Sequence, residues 1–226
     1  MKTIGMLVAV EMDAVLRRYG KPAAVETRCG FTVHSYDMGA YTLHVIHSGA
    51  GELSAAAATA LLIDRYGAEL IVNFGVVGGL TEEMAQTKTC VVERVVHYDF
   101  DTSAYDLDTV PGQYGGFEDV WLCPTPALVE RAVELEPGLK RVTCASADKF
   151  VDGAEAKSAL HERWGADICE MEAAAVVLTC LRSGVECLLI KTVSDGLTQG
   201  GADFGTALAE TSEIALSVAD RLIREL

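Results

Sequence analysis

Short, β-rich apolar runs alternating with segments of helical periodicity leave few architectures open to this chain. The runs are Thr3–Val10, Tyr41–His47, Leu70–Phe74, Thr89–Val96, Arg141–Ala145, Ala166–Cys169 and Cys187–Val193. Helical spacing marks Ser54–Tyr66, Pro126–Leu135, Ala154–Trp164, Glu172–Ser183 and Ala207–Leu226. Strands this apolar have no face to give to water, so both faces of their sheet must be covered. The pattern predicts an α/β fold with one mixed, largely parallel sheet between helices. At 226 residues, half of them apolar, the chain can build one sizeable core. No composition break, repeat or low-complexity tract divides it, so residues 1–226 are expected to form a single domain.

Charge and cysteine usage narrow the partners. A formal charge of −15 repels phosphate backbones and anionic lipid surfaces, which argues against nucleic acid and membrane. The seven cysteines are scattered, odd in number and without a C-x-x-C pair, so they read as reduced residues of a cytoplasmic protein. The opening MKTIGMLVAVEMDAV is broken by Glu11 and Asp13 and lacks a cleavage pattern; it reads as a first strand rather than a signal peptide. No stretch reaches the ~20 uninterrupted apolar residues of a membrane helix. The five histidines make no metal-binding spacing, and neither metal nor cofactor is expected.

Chemistry concentrates where strands end. Residues 73–80, N-F-G-V-V-G-G-L, run a buried strand into a glycine-rich turn that would let backbone N–H groups face a ligand, although a tight turn alone explains it too. Residues 168–175, I-C-E-M-E-A-A-A, put Glu170 and Glu172 astride a strand–helix junction, where the helix dipole by itself also favours acids. Residues 188–196, L-L-I-K-T-V-S-D-G, leave Asp195 just past the carboxyl end of a strand, a common catalytic position and equally a turn. Residues 146–153, S-A-D-K-F-V-D-G, offer Phe150 either to a flat ring or to the core.

Taken in this order and spacing, these elements resemble the methylthioadenosine/S-adenosylhomocysteine nucleosidases of the nucleoside phosphorylase and nucleosidase superfamily. The resemblance runs nearly end to end, through S-G-A-G-E-L-S, V-N-F-G-V-V-G-G-L, H-Y-D-F-D-T-S-A-Y, S-A-D-K-F-V-D-G, I-C-E-M-E-A and I-K-T-V-S-D-G. It implies a nucleoside phosphorylase-like fold and hydrolysis of the N-glycosidic bond of 5'-modified adenosines, with a place in methionine salvage. By the same resemblance, Asp195 protonates adenine N7 with Ser194 supporting it. Glu172 grips the ribose hydroxyls and Met171 packs on the sugar. Phe150 stacks the base while the Val151 backbone bonds its edge.

At the water site the sequence departs from the family. A glutamate, a serine and an arginine of the family align here with Asp13, Val76 and Lys191, with Glu11 as the alternative base if the alignment slips by two. Ala50 stands where a larger aliphatic residue is common, which suggests more room beside the sugar. The acidic, aromatic segment Asp99–Asp119 is too long for a simple connection. The resemblance implies a homodimer in which Tyr105 and Pro111 complete the neighbour's site. Two other readings stay open: a phosphate-dependent phosphorylase, and a silent nucleoside-binding protein that has lost its water site.

Overall fold

Strand pairing in the computed structural model, which describes residues 2–225, explains why the apolar runs carry so little polarity. In chain order the elements are β1 (Lys2–Val8), α1 (Met12–Tyr19), β2 (Ala24–Arg28), β3 (Phe31–Asp37), β4 (Tyr41–His47), α2 (Glu52–Tyr66), β5 (Leu70–Gly79) and β6 (Thr89–His97). There follow α3 (Pro126–Leu135), β7 (Lys140–Ser146), α4 (Ala154–Trp164), β8 (Ile168–Glu170), α5 (Ala173–Ser183), β9 (Glu186–Asp195) and α6 (Gly201–Glu225). The sheet order is β2-β3-β4-β1-β5-β8-β7-β6-β9, and β9 also pairs with β5. The second half of the sheet thus closes on itself as a small barrel, while β2, β3, β4 and β1 extend from it as an open wing.

Alternation along each strand feeds two cores. Ile4, Met6 and Val8 of β1 join Leu70, Val72 and Phe74 of β5 and Leu188 and Ile190 of β9 on one face, under α1, α3 and α6. Leu7, Ile71, Leu189 and Val193 point the other way, beneath Ala55, Ala58 and Leu62 of α2 and Ala174 and Val177 of α5. Burial on both faces is what a run such as LIV or LLI records. Gly5 lets α2 come close, because a Cβ there would lie 2.8 Å from Ile71 Cδ1 and 3.1 Å from Leu62 Cδ1. The third cluster, under α4, joins Leu80, Val96, Ala145 and Cys169 to Leu160 and Trp164.

The expected α/β architecture is therefore present, with parallel pairings β1–β4, β1–β5, β5–β9, β6–β7 and β7–β8 among antiparallel ones. Three elements were not anticipated. The β2–β3 hairpin is antiparallel and largely polar, and α1 follows β1 so closely that its apolar residues merge with the strand's. Helix α6 begins six residues ahead of the expected Ala207; the expected end, Leu226, lies outside the described residues. Segment 99–119 carries no regular element, but Phe100 stacks on Tyr114 at 4.0 Å and Phe117 packs against the second core. Part of this segment therefore folds back on its own sheet, while Tyr105, Leu107 and Val110 remain exposed.

Candidate active site

The carboxyl ends of β1, β5, β8 and β9 surround a cavity of about 250 Å³. Its wall holds Glu11 after β1, Ala50 before α2, Val76 and Gly78 of β5, Phe150 and Val151 after β7, Met171 and Glu172 after β8, Ser194 and Asp195 at the end of β9, and Phe204 of α6. The parallel strands among these point their carboxyl ends the same way, which gathers the turns that follow them at one end of the sheet.

Glu11 is held by backbone. Its Oε2 accepts the N–H groups of Ala9 at 3.1 Å and Val10 at 2.9 Å, and its Oε1 accepts that of Val76 at 3.0 Å. Gly75 makes this possible, since a Cβ there would sit 2.7 Å from Glu11 Oε1. The glycine-rich turn expected here is strand as far as Gly79, and Gly75 within it serves to admit a carboxylate. Asp13 does not share the site: it is exposed in the first turn of α1 and does not line the cavity. Of the two carboxylates expected at the water site, the structure brings Glu11 to the cavity and leaves Asp13 out, because β1 ends at Val8 and the chain turns inward at residue 11 before the helix starts.

Glu172 sits at the N-cap position of α5 and is 7% exposed, with Oε1 accepting the Gly51 N–H at 2.9 Å. Burial, and then the neighbouring charge of Glu170, push its carboxyl up to about 8. Asp195 is 1% exposed; its Oδ1 accepts the Ser194 hydroxyl at 2.7 Å and its Oδ2 the Lys157 ammonium at 2.7 Å. Burial raises its carboxyl, the bonds from Lys157 and Ser194 pull it down, and it stays above the ordinary aspartate value. On the open side Phe150 meets Phe204 edge to face at 5.6 Å, leaving a half-exposed ring over the cavity.

A buried polar layer supports the floor. Lys191 does not reach the cavity: it is 1% exposed and donates to Glu170 Oε2 at 3.1 Å. A water-binding role for Lys191 is thereby corrected to support of Glu170. Burial opposes ionisation of Glu170, yet Lys191, Ser146 and the Ala173 amide hold it below the ordinary range. Ser146 Oγ lies 2.5 Å from Glu52 Oε1 and 2.6 Å from Glu170 Oε1, and it accepts the Ala174 N–H. A hydroxyl has one hydrogen, so it can donate to only one of the two carboxyls. The other must then carry a proton of its own. That proton resides on Glu52, which burial and the charge of Glu170 push up to about 7.

Such a fold has known counterparts. The family profile described as the phosphorylase superfamily matches residues 3–226. This chain belongs to that superfamily. It is 29% identical over 199 residues, 85% of each chain, to a 5'-methylthioadenosine/S-adenosylhomocysteine nucleosidase of Bacillus thuringiensis (strain Al Hakam). A solved nucleosidase of the same name from Neisseria meningitidis, in complex with methylthio-immucillin-A, shares the fold with a TM-score of 0.91 at 22% identity, both chains covered over 100%. A futalosine hydrolase mutant of Helicobacter pylori strain 26695 does so with a TM-score of 0.93 at 24% identity, again over 100% of both chains.

Within this superfamily member, the residues singled out at the strand ends converge, apart from Asp13 and Lys191. Tyr105, 81% exposed, and Pro111 stand outside the cavity of the single chain. Lys157, Glu52, Ser146 and Phe204 were not anticipated. For Lys157 a signal existed: it stands three and seven positions ahead of Leu160 and Trp164, the apolar side chains that α4 packs against the third cluster. A lysine on that side announces a buried partner.

Proposed function

We propose that this protein hydrolyses the N-glycosidic bond of 5'-modified adenosines, such as 5'-methylthioadenosine and S-adenosylhomocysteine, releasing adenine and the 5'-modified ribose. The observation that carries this reading is the sharing of one cavity by Glu11, Glu172 and Asp195 beneath the Phe150 ring. Adenine is a poor leaving group as an anion. Asp195 gives its proton to N7 while the C1'–N9 electron pair passes to the base, and a positioned acid of this kind is worth about 10²–10⁴-fold. Glu172 meets the ribose hydroxyls, and the Glu11 carboxylate beside the sugar favours the positive charge that develops on it. Water attacks C1' and loses its proton to Glu11, whose carboxylate three amides hold in place. Phe150 stacks the base, Val151 bonds its edge, and Met171 packs on the sugar beside the small Ala50.

Phosphate is a poor nucleophile for this site. Among the described residues lining the cavity the one cation is Lys149, the Glu11 carboxylate repels an anion, and Val76 has no hydroxyl to donate. The test is to incubate the pure protein with 5'-methylthioadenosine, S-adenosylhomocysteine and adenosine, with and without phosphate, and to measure free adenine. Release independent of phosphate is expected; binding without release would overturn the reading.

The same reading includes a homodimer, whose support is the exposed Tyr105, Leu107 and Val110 in a segment anchored on both sides. Burying such side chains stabilises an interface at about 25 cal/mol per Å². Light scattering over a dilution series should show no fully active monomer, and Tyr105→Ala with Pro111→Gly should weaken 5'-thioalkyl substrates more than adenosine. Its setting is the cytoplasm, in keeping with cysteines that are all free and mostly buried. Among the described residues no helix is long and apolar enough to cross a membrane.

A further inference from the structure

Lys157 projects from α4 and has lost all contact with solvent. Its Nζ donates to Asp195 Oδ2 at 2.7 Å, to the Gly196 carbonyl at 2.7 Å and to the Gln199 carbonyl at 3.0 Å, and it lies 3.3 Å from the Asp195 carbonyl. An ammonium has three protons, and these contacts use all of them. Desolvating it is costly, whereas an aliphatic side chain beside Leu160 and Trp164 would fill the same space without that cost. Simple packing of α4 therefore does not account for a lysine here. Its contacts all fall on the end of β9 and the loop leading to α6, the stretch that carries Asp195.

We propose that Lys157 is a positioning residue for the reaction: its ammonium fixes the orientation of the Asp195 carboxyl and makes it a stronger acid toward the departing base. The inference rests on Asp195 being that acid. With Ser194 on Oδ1 and Lys157 on Oδ2, the carboxyl plane cannot rotate, and each oxygen keeps a lone pair free for the cavity. When the proton passes from Asp195 to N7, the carboxylate left behind is already paired with Lys157. The groups that face this carboxyl come from four elements: Lys157 of α4, the Cys169 thiol of β8, Ser194 of β9 and Asp203 of α6. Asp152 abuts the same loop at Gly200. Burial and Asp203 oppose ionisation, so Lys157 and Ser194 must supply what favours it.

The test follows the Asp195 carboxyl itself by carbon-13 NMR, with aspartate labelled at the carboxyl carbon and the signal assigned by its loss in Asp195→Asn. The pH at which Asp195 titrates in the unaltered enzyme without ligand is the reference. In Lys157→Gln its titration should move up by about one pH unit or more, as expected for loss of an adjacent opposite charge. Lys157→Arg should restore it to near the original position. The alkaline limb of the kcat profile, where Asp195 loses the proton it must give, should move up with that titration in Lys157→Gln, the plateau below it should fall about tenfold as the carboxyl loses its orientation, and both should recover in Lys157→Arg. A folded Lys157→Gln whose kcat profile keeps its height and its position along the pH axis overturns the proposal. So does a folded Lys157→Gln in which Asp195 titrates where it did before. Full activity of Asp195→Asn would instead remove the acid role on which the inference stands, which keeps the two failures apart.

Discussion

A carboxyl group that must hand over a proton needs surroundings in which its two forms are close in energy, and Asp195 has opposing influences of that kind. Burial and Asp203 favour the acid; Lys157 and Ser194 favour the anion. Asp195→Asn keeps the shape and the Ser194 contact but has no acidic proton, so kcat should fall by about 10²–10⁴-fold while nucleoside binding stays within a few fold. Steady-state kinetics and calorimetry on the same preparation check both halves. The position of Asp195 was legible because it depends only on where an apolar strand stops. The choice between Glu11 and Asp13 was not. Glu11 and Asp13 differ by two positions, and whether a side chain there turns inward depends on the last residue of β1 and the first of α1, a boundary that the sequence blurs with Val10 and Met12 on either side. Glu11→Gln should abolish most hydrolysis and Asp13→Asn should leave it unchanged; equal losses in the two would contradict the assignment.

At the scale of elements, what was legible tracks how each segment is buried. β4, α3 and α4 fall on the expected bounds, and β5 and β9 outrun theirs because Gly75–Gly79 and Ser194–Asp195 continue the strands into the site. The β2–β3 hairpin escaped notice because an edge hairpin leaves much of its surface to water and shows no apolar run. The layer behind the site escaped too, since Glu52 and Ser146 meet from elements 94 positions apart. That layer has a consequence for stability. In the folded chain Glu52 and Glu172 hold their protons up to about 7 and about 8, against an ordinary value of 4.5. Between those limits the folded state binds more protons than the unfolded chain, so stability from this source is complete below about pH 4.5 and is lost as pH rises toward 8. Glu52→Gln, which carries its hydrogen at every pH, should flatten that decline and stand above the parent at the alkaline end. Urea midpoints across the pH range measure it, and parallel curves for the two proteins would refute it.

For the whole molecule, the decisive feature is the closure of β5, β8, β7, β6 and β9 on one another. It crowds the strand ends so that Glu11, Glu172 and Asp195 meet in one cavity although they lie far apart in the chain. Pairings of β9 with both β5 and β6 are non-local, which is why the runs predicted a sheet but not its closure. The account as a whole stands on water attacking C1' of a nucleoside bound in that cavity. Reaction with 5'-methylthioadenosine in heavy-oxygen water, in the presence of phosphate, tests this most directly. Mass spectrometry should find the heavy oxygen at C1 of the released 5'-methylthioribose and none in adenine. A sugar phosphate, or adenine release without label in the sugar, would contradict it.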